Sequence, residues 1–224
     1  MFSFLSGGPA THDEVEEPKA GIGAMRVEFI TSGHELWQAA TDHIKAVYRQ
    51  AYGAAVHDFA PELAVTTNAT GAVICAAGVR DGAAGLFSQV YLDAPIHRVL
   101  AARTGLDVAA SDLVEVVTMA CSRPAAALPL LDAIAEEGRA RGKSWGIFTG
   151  TRPLWTMLMR AGLPIVRLAP ARPERLANPG TWGSYYATDP WVCAVNEAHQ
   201  TRLSFNPRLV LHRPAAPAKV GVAA

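Results

Sequence analysis

The stretch DLVEVVTMAC, residues Asp112–Cys121, decides how the chain is read. Leu113, Val114, Val116, Val117, Met119 and Ala120 are apolar, β-branched residues dominate, and the run has a strand's length. Glu115 interrupts it. Period-two alternation puts Leu113, Glu115, Val117 and Met119 on one face and Val114, Val116 and Thr118 on the other. An ionised carboxylate in a dry core costs several kcal/mol unless it is partnered. Two readings stay open: a satisfied buried pair, with Arg80 as its partner, or a carboxylate lining a cleft and tuned by partial burial to act as a general base.

Strands and helices alternate outward from this run. MRVEFIT (25–31) reads as a strand. Ser32 and Glu35 make a Ser-x-x-Glu start for a helix reaching about Tyr52, with Gly53 as its stop. ELAVTTN (62–68) and AVICAAGVR (72–80) read as strands joined by a turn. LFSQVYLD (86–93) reads as extended, with Gln89, Tyr91 and Asp93 on one side as a cleft wall or a solvent-facing edge. A helix over 94–105 precedes the opening strand. A second helix follows it, with Ser122 as cap, Pro124 in the first turn and a kink at Pro129. The strand SWGIFTG, the helix RPLWTMLMRAGL, the short strand PIVRLA and a last strand near 190–196 complete the order. The expected fold class is α/β, a mixed sheet flanked by helices, in the order β-α-β-β-α-β-α-β-α-β. A sheet changing from antiparallel to parallel pairing at strand 112–121 leaves a cleft beside that strand.

Residues 1–23 and 206–224 read as flexible arms around one domain over 24–205, with a short strand possible at 208–212. The chain of 224 residues carries 20 Lys plus Arg against 20 Asp plus Glu, so no net field recruits nucleic acid. No apolar run approaches the ~20 residues of a membrane span. Cys75, Cys121 and Cys193 show no metal-site or disulfide spacing. Cys75 and Cys121 read as buried thiols, no metal is expected, and a cytoplasmic location fits. Nothing in the sequence fixes an oligomeric state.

The run from Glu115 to Leu163 resembles the second half of the acyl-CoA-dependent N-acyltransferase fold of the GNAT superfamily. Arg123-Pro-Ala-Ala126-Ala-Leu128 stands where that fold has its pyrophosphate loop, with Leu128 bulkier than the pattern. Leu158 and Met159 stand near the position of the acid tyrosine of many such enzymes. Over about 44–196, the ordered set YRQAYGAAVHDFAPELAV, AAGVR, LFSQVYLDAPIH, VEVVTMA, IFTGT, RAGL and WGSYYATDPWV resembles the thermostable hemolysin family, with Val117-Thr118 in place of Gly-Asn. That family is in turn similar to the acyl-homoserine-lactone synthases.

The resemblance implies an N-acyltransferase taking an acyl chain from acyl-CoA or acyl-phosphopantetheine on an acyl carrier protein to a small amine, with no permanently bound cofactor. Glu115 is the expected base, and Arg80, His57, Gln89 and Tyr91 the expected acceptor contacts. The donor is expected against Met119, Ala120, Cys121, Arg123, Ala126, Thr149 and Thr151. Several of these have plainer readings: Arg80 as a strand-end arginine, His57 as a solvated loop histidine, Thr149 and Thr151 as helix caps. Trp182, Tyr185 and Tyr186 suit an acyl-pocket wall or a core cluster. The rivals are a membrane-active protein, as the family's name suggests, and a non-catalytic acyl-binding module.

Overall fold

The computed structural model describes residues 25–160, 162–196 and 210–212, so the expected 1–23 arm and most of the expected tail lie outside the described residues. In chain order the elements are β1 (Arg26–Thr31), α1 (Trp37–Tyr52), β2 (Glu62–Thr67), β3 (Val73–Asp81), α2 (Ile96–Thr104), β4 (Leu113–Cys121), α3 (Ala127–Ala140), β5 (Trp145–Gly150), α4 (Arg152–Arg160), β6 (Ile165–Pro170), β7 (Trp191–Asn196) and β8 (Val210–His212). Among the described residues the strands form one mixed sheet, ordered β6-β7-β5-β4-β3-β2-β1-β8. β1 through β4 pair antiparallel, and β4 then pairs parallel with β5 through the crossover helix α3. β7 returns antiparallel between β5 and β6. The change of pairing sense falls on the strand where the sequence places it.

Alternation along the strands divides the core. Val27, Ala64, Cys75, Ala77, Val79 and Val114 face α3, whose Leu130, Ala133 and Ile134 pack on them. Ile30, Leu63, Val65, Ala76 and Ala120 face Ala40, Ile44 and Tyr48 of α1. Leu113, Ile147, Val192 and Ala194 pack with Ile96 and Leu100 of α2. The 68–71 turn is held as its sequence suggests: Asn68 Oδ1 accepts the N–H groups of Thr70 and Ala72, each at 3.0 Å.

Four local expectations are corrected. Helix α1 begins at Trp37, without a side-chain cap, because a turn at 32–36 comes first. Residues Phe87–Tyr91 form a 3-10 turn instead of an extended strand, so Gln89 and Tyr91 do not share a wall by alternation. Pro129 is the third residue of α3, where its missing N–H has no helical partner to lose, so no kink is required there. Cys75 and Cys121 are not separate thiols: the β3–β4 register sets them directly opposite, with Cα atoms 4.0 Å apart, and their sulfurs are joined as a disulfide. Their sequence separation of 46 carries no spacing signal for that pairing. Cys193 is buried, which pushes its thiol up to about 12.

Candidate functional site

The sheet opens beside β4. The β4–β5 register runs from Leu113↔Trp145 to Val116↔Phe148 and ends there. β4 continues to Cys121 and β5 to Gly150, so their C-terminal ends part. On its other side β4 is bulged against β3: Gly78 pairs with Val117 and Ala76 with Ala120, leaving Thr118 and Met119 opposite Ala77 alone. Thr118 takes the extra residue's turn at φ 47°.

The bulge reverses the strand's alternation. Val116, Met119 and Cys121 now pack toward α3 together with Val114, which corrects the expected placing of Met119 beside Glu115. A positive φ on a β-branched residue is strained, and Thr118 Oγ1 is also buried with no partner among the described residues. Gly or Asn adopts this conformation with little penalty. Thr118→Gly is therefore expected to stabilise the fold, or leave it unchanged once glycine's extra chain entropy is offset, within about 1 kcal/mol. Chemical denaturation checks this, and a loss of several kcal/mol contradicts it.

Two cavities meet in this opening. One, of about 250 Å³, is mostly apolar and runs between β4, β5, α3 and α4, past Met119, Cys121, Leu131, Phe148, Thr151 and Leu154. The other, of about 350 Å³, is lined by His57, Asp58, Arg80, Phe87, Tyr91 and Trp182 among others. Tyr48, Val116, Thr118, Thr149 and Tyr185 line both. The junction thus has the β4 bulge on one side and the end of β5 on the other.

Aromatic side chains roof the second cavity. Trp182 lies 5.9 Å from Phe87 and 6.3 Å from Tyr186, centroid to centroid. The Tyr91 and Tyr186 hydroxyls bond each other, and burial raises both phenols. Arg80 lines this cavity, and its Nε is buried with no partner among the described residues.

Glu115 is fully buried and lines neither cavity. Its oxygens accept the backbone N–H groups of Phe87 at 2.6 Å and Ser88 at 2.8 Å. Arg80 faces it across the β3–β4 register, yet the carboxylate is satisfied by the 87–91 turn and not by the arginine. Neither sequence reading described this arrangement, because neither placed a turn over β4. Burial raises the carboxyl above the ordinary glutamate value, while bonds from Ser88 and Phe87 and the charge of Arg80 pull the other way. The Ser88 hydroxyl bonds Thr149 Oγ1 at 2.7 Å.

Of the expected acceptor contacts, Arg80, His57 and Tyr91 meet in the second cavity. Gln89 does not: its amide donates to Ala94 O at 3.0 Å and accepts Ile96 N–H at 2.9 Å, bracing the start of α2. Of the expected donor contacts, Met119, Cys121, Thr149 and Thr151 line the apolar cavity. Ala120 packs against α1 on the opposite face, Ala126 is buried in the α3 core, and Arg123 is exposed. Trp182 and Tyr186 wall the polar cavity rather than the apolar one. Ser88, Asp58 and Tyr48 went unread; Ser88 carries no motif and becomes visible only through the turn that places it.

A family model described as thermostable hemolysin matches residues 30–201. The chain belongs to the thermostable hemolysin family. No curated protein sequence matches this member. Its fold is shared with solved structures. The acyl-homoserine-lactone synthase LasI superposes with a TM-score of 0.56 at 12% identity, over 81% of this chain and 93% of LasI. BjaI, a CoA-dependent acyl-homoserine lactone synthase solved with SAM and isopentyl-CoA, gives 0.56 at 14%, over 86% and 95%. FeeM, an N-acyl amino acid synthase from uncultured soil microbes, gives 0.52 at 18%, over 78% and 92%. The family member described here therefore has the GNAT-like architecture that its sequence implies.

Proposed function

We propose that the protein is an N-acyltransferase, moving an acyl chain from a CoA or carrier-protein thioester to a small amine that bears an anionic group. The observation that carries this reading is the meeting of an apolar cavity and a more polar one at the β4 bulge. In this reading the apolar cavity takes the thioester's arm and chain. The second cavity takes the amine: Arg80 supplies a forked cation for a carboxylate, and Asp58 supplies a counter-charge for the ammonium. BjaI and FeeM, with the same architecture, are named as a CoA-dependent acyl-homoserine lactone synthase and an N-acyl amino acid synthase.

The reaction needs the ammonium to lose a proton. Its nitrogen then attacks the thioester carbon, the carbonyl oxygen takes up charge, and the C–S bond breaks as the C–N bond is completed. The bulge at Thr118–Met119 interrupts the β3–β4 ladder, and in this reading backbone N–H groups of that stretch hold the oxyanion. Glu115 is the carboxylate within this wall that accepts the proton.

Among the described residues no single apolar face supports a membrane-active reading. The exposed large apolar side chains described, Val90, Leu106 and Met159, sit on three different segments. Among the described residues no helix is long and apolar enough to cross a membrane.

The test is thiol release from acyl-CoA and acyl-carrier thioesters against a panel of amines. Release that requires an amine supports the proposal; binding without release supports a non-catalytic module; vesicle lysis without thioester supports the membrane-active reading. Arg80→Leu is expected to raise KM for a carboxylate-bearing amine roughly 10- to 100-fold, the worth of a charge-assisted pair, with little change for an uncharged amine. Equal effects on both amines count against a carboxylate contact at Arg80.

A further inference from the structure

Glu115 sits behind the 87–91 turn, out of reach of anything held in either cavity. A base that cannot touch its substrate needs a path. Two hydroxyls, those of Ser88 and Thr149, stand between the carboxyl and the junction. Ser88 joins the two ends: its backbone N–H donates to Glu115 Oε1 at 2.8 Å, its side chain favours the ionised carboxyl, and its Oγ bonds Thr149 Oγ1 at 2.7 Å. Thr149 lines both cavities at the point where they meet.

We infer that Thr149 and Ser88 form a proton relay that carries the acceptor amine's proton from the cavity junction to Glu115. This rests on the acyl-transfer reading. The relay takes one polarity: Thr149 O–H donates to Ser88 Oγ, and Ser88 O–H turns to the neighbouring carboxylate. That leaves a Thr149 lone pair for an ammonium N–H. In the transfer, Thr149 Oγ1 gains the amine's proton and passes its own to Ser88 Oγ, which passes its own to Glu115. Each hydroxyl gains one proton and loses one; the amine becomes neutral and the carboxylate becomes a carboxylic acid. The C–N bond then forms at the thioester carbon, the C–S bond breaks, and the thiolate leaves. The product nitrogen's remaining extra proton goes to that thiolate, and Glu115 returns its own proton to bulk by the same hydroxyls before the next turnover.

The surroundings keep this path defined. Glu115 Oε1 and Oε2 are each pinned by a backbone N–H, so the carboxylate cannot swing toward the cavity in place of the relay. Thr149 is fixed at the end of β5 by pairing with Val192 and by Tyr185, whose hydroxyl donates to Thr149 O at 3.1 Å. The charged and titratable groups that act on Glu115 are Arg80 on β3 and Tyr91 in the turn; Ile147, its partner on β5, carries no charge.

The experiment measures amine-dependent thiol release by the wild type, Thr149→Val, Thr149→Ser, Ser88→Ala and Glu115→Gln, each checked for folding by thermal melting. Thr149→Val and Ser88→Ala are expected to lose about a hundredfold or more in kcat, with KM for the amine little changed. The double variant is expected to lose no more than either single one. Thr149→Ser restores most of the loss. The wild-type rate levels off with rising pH once Glu115 is ionised, whereas the Thr149→Val rate keeps rising because solvent base replaces the relay. Wild-type kcat in Thr149→Val, together with an inactive Glu115→Gln, overturns the relay and leaves acyl transfer standing. Full activity in Glu115→Gln removes Glu115 as base and the relay with it. No turnover by the wild type on any thioester and amine overturns both.

Discussion

Glu115→Ala is expected to lower unfolding stability by about 3 kcal/mol and the melting temperature by roughly 8 °C. The alanine leaves the N–H groups of Phe87 and Ser88 without their acceptor. A buried donor so stranded costs ~1–3 kcal/mol, and a domain of this size melts about 2–4 °C lower per kcal/mol. Glu115→Gln keeps the shape, but its amide nitrogen must face one of those N–H groups, so it is destabilising as well. The pH dependence separates charge from shape. Folding raises the Glu115 carboxyl, so the stability contributed by its proton is complete below the unfolded glutamate value. That contribution is lost as pH rises through the elevated native value. The stability gap between wild type and Glu115→Gln is therefore widest in acid and narrows upward through that window. Urea titrations at several pH values measure it, and a gap that widens with pH contradicts the assigned direction.

Gly183→Ala is expected to have the second large effect, a loss above roughly 3 kcal/mol with collapse of acceptor binding. Gly183 has φ 54° and ψ −128°, a region essentially open to glycine alone. A methyl group there falls onto the Tyr52 carbonyl oxygen and lies 2.9 Å from the Gly53 carbonyl carbon. These are backbone atoms at the end of α1, and they cannot rotate away. Relief requires the 180–186 segment to lift. Ser184 N–H then loses its 2.8 Å bond to Tyr52 O, and Trp182 and Tyr185 leave the aromatic roof. A well-folded Gly183→Ala protein with unchanged amine KM contradicts the assignment of that roof to the acceptor site.

The order of elements was legible because alternation, turn residues and helix stops agreed along most of the chain. Glu115 stood out because a carboxylate inside an apolar strand demands an explanation. What it touches was not legible. Phe87–Tyr91 has the apolar, aromatic composition of a strand, and only its packing over β4 makes it a 3-10 turn that offers two N–H groups. The bulge at Thr118 was equally hidden: threonine is a good strand residue, and nothing local announces a positive φ. Its effect was to move Met119 to the α3 face, against simple alternation. Gln89 was misread for the same reason as the turn, whereas Arg80, at the end of a correctly read strand, lies in the polar cavity as its position suggested.

The two cavities are built from unlike material. The apolar one is cut into the sheet and its covering helices, where a change of side chain disturbs the packing that holds the domain together. Much of the polar one is walled by Leu176–Tyr186, a connecting stretch of short turns outside the strand ladder. Substitutions in that stretch can reshape what is accepted without touching the chassis. Among homologues sharing this architecture, nucleophile preference is therefore expected to diversify faster than chain preference, with 176–186 as the first place to graft when a new preference is wanted.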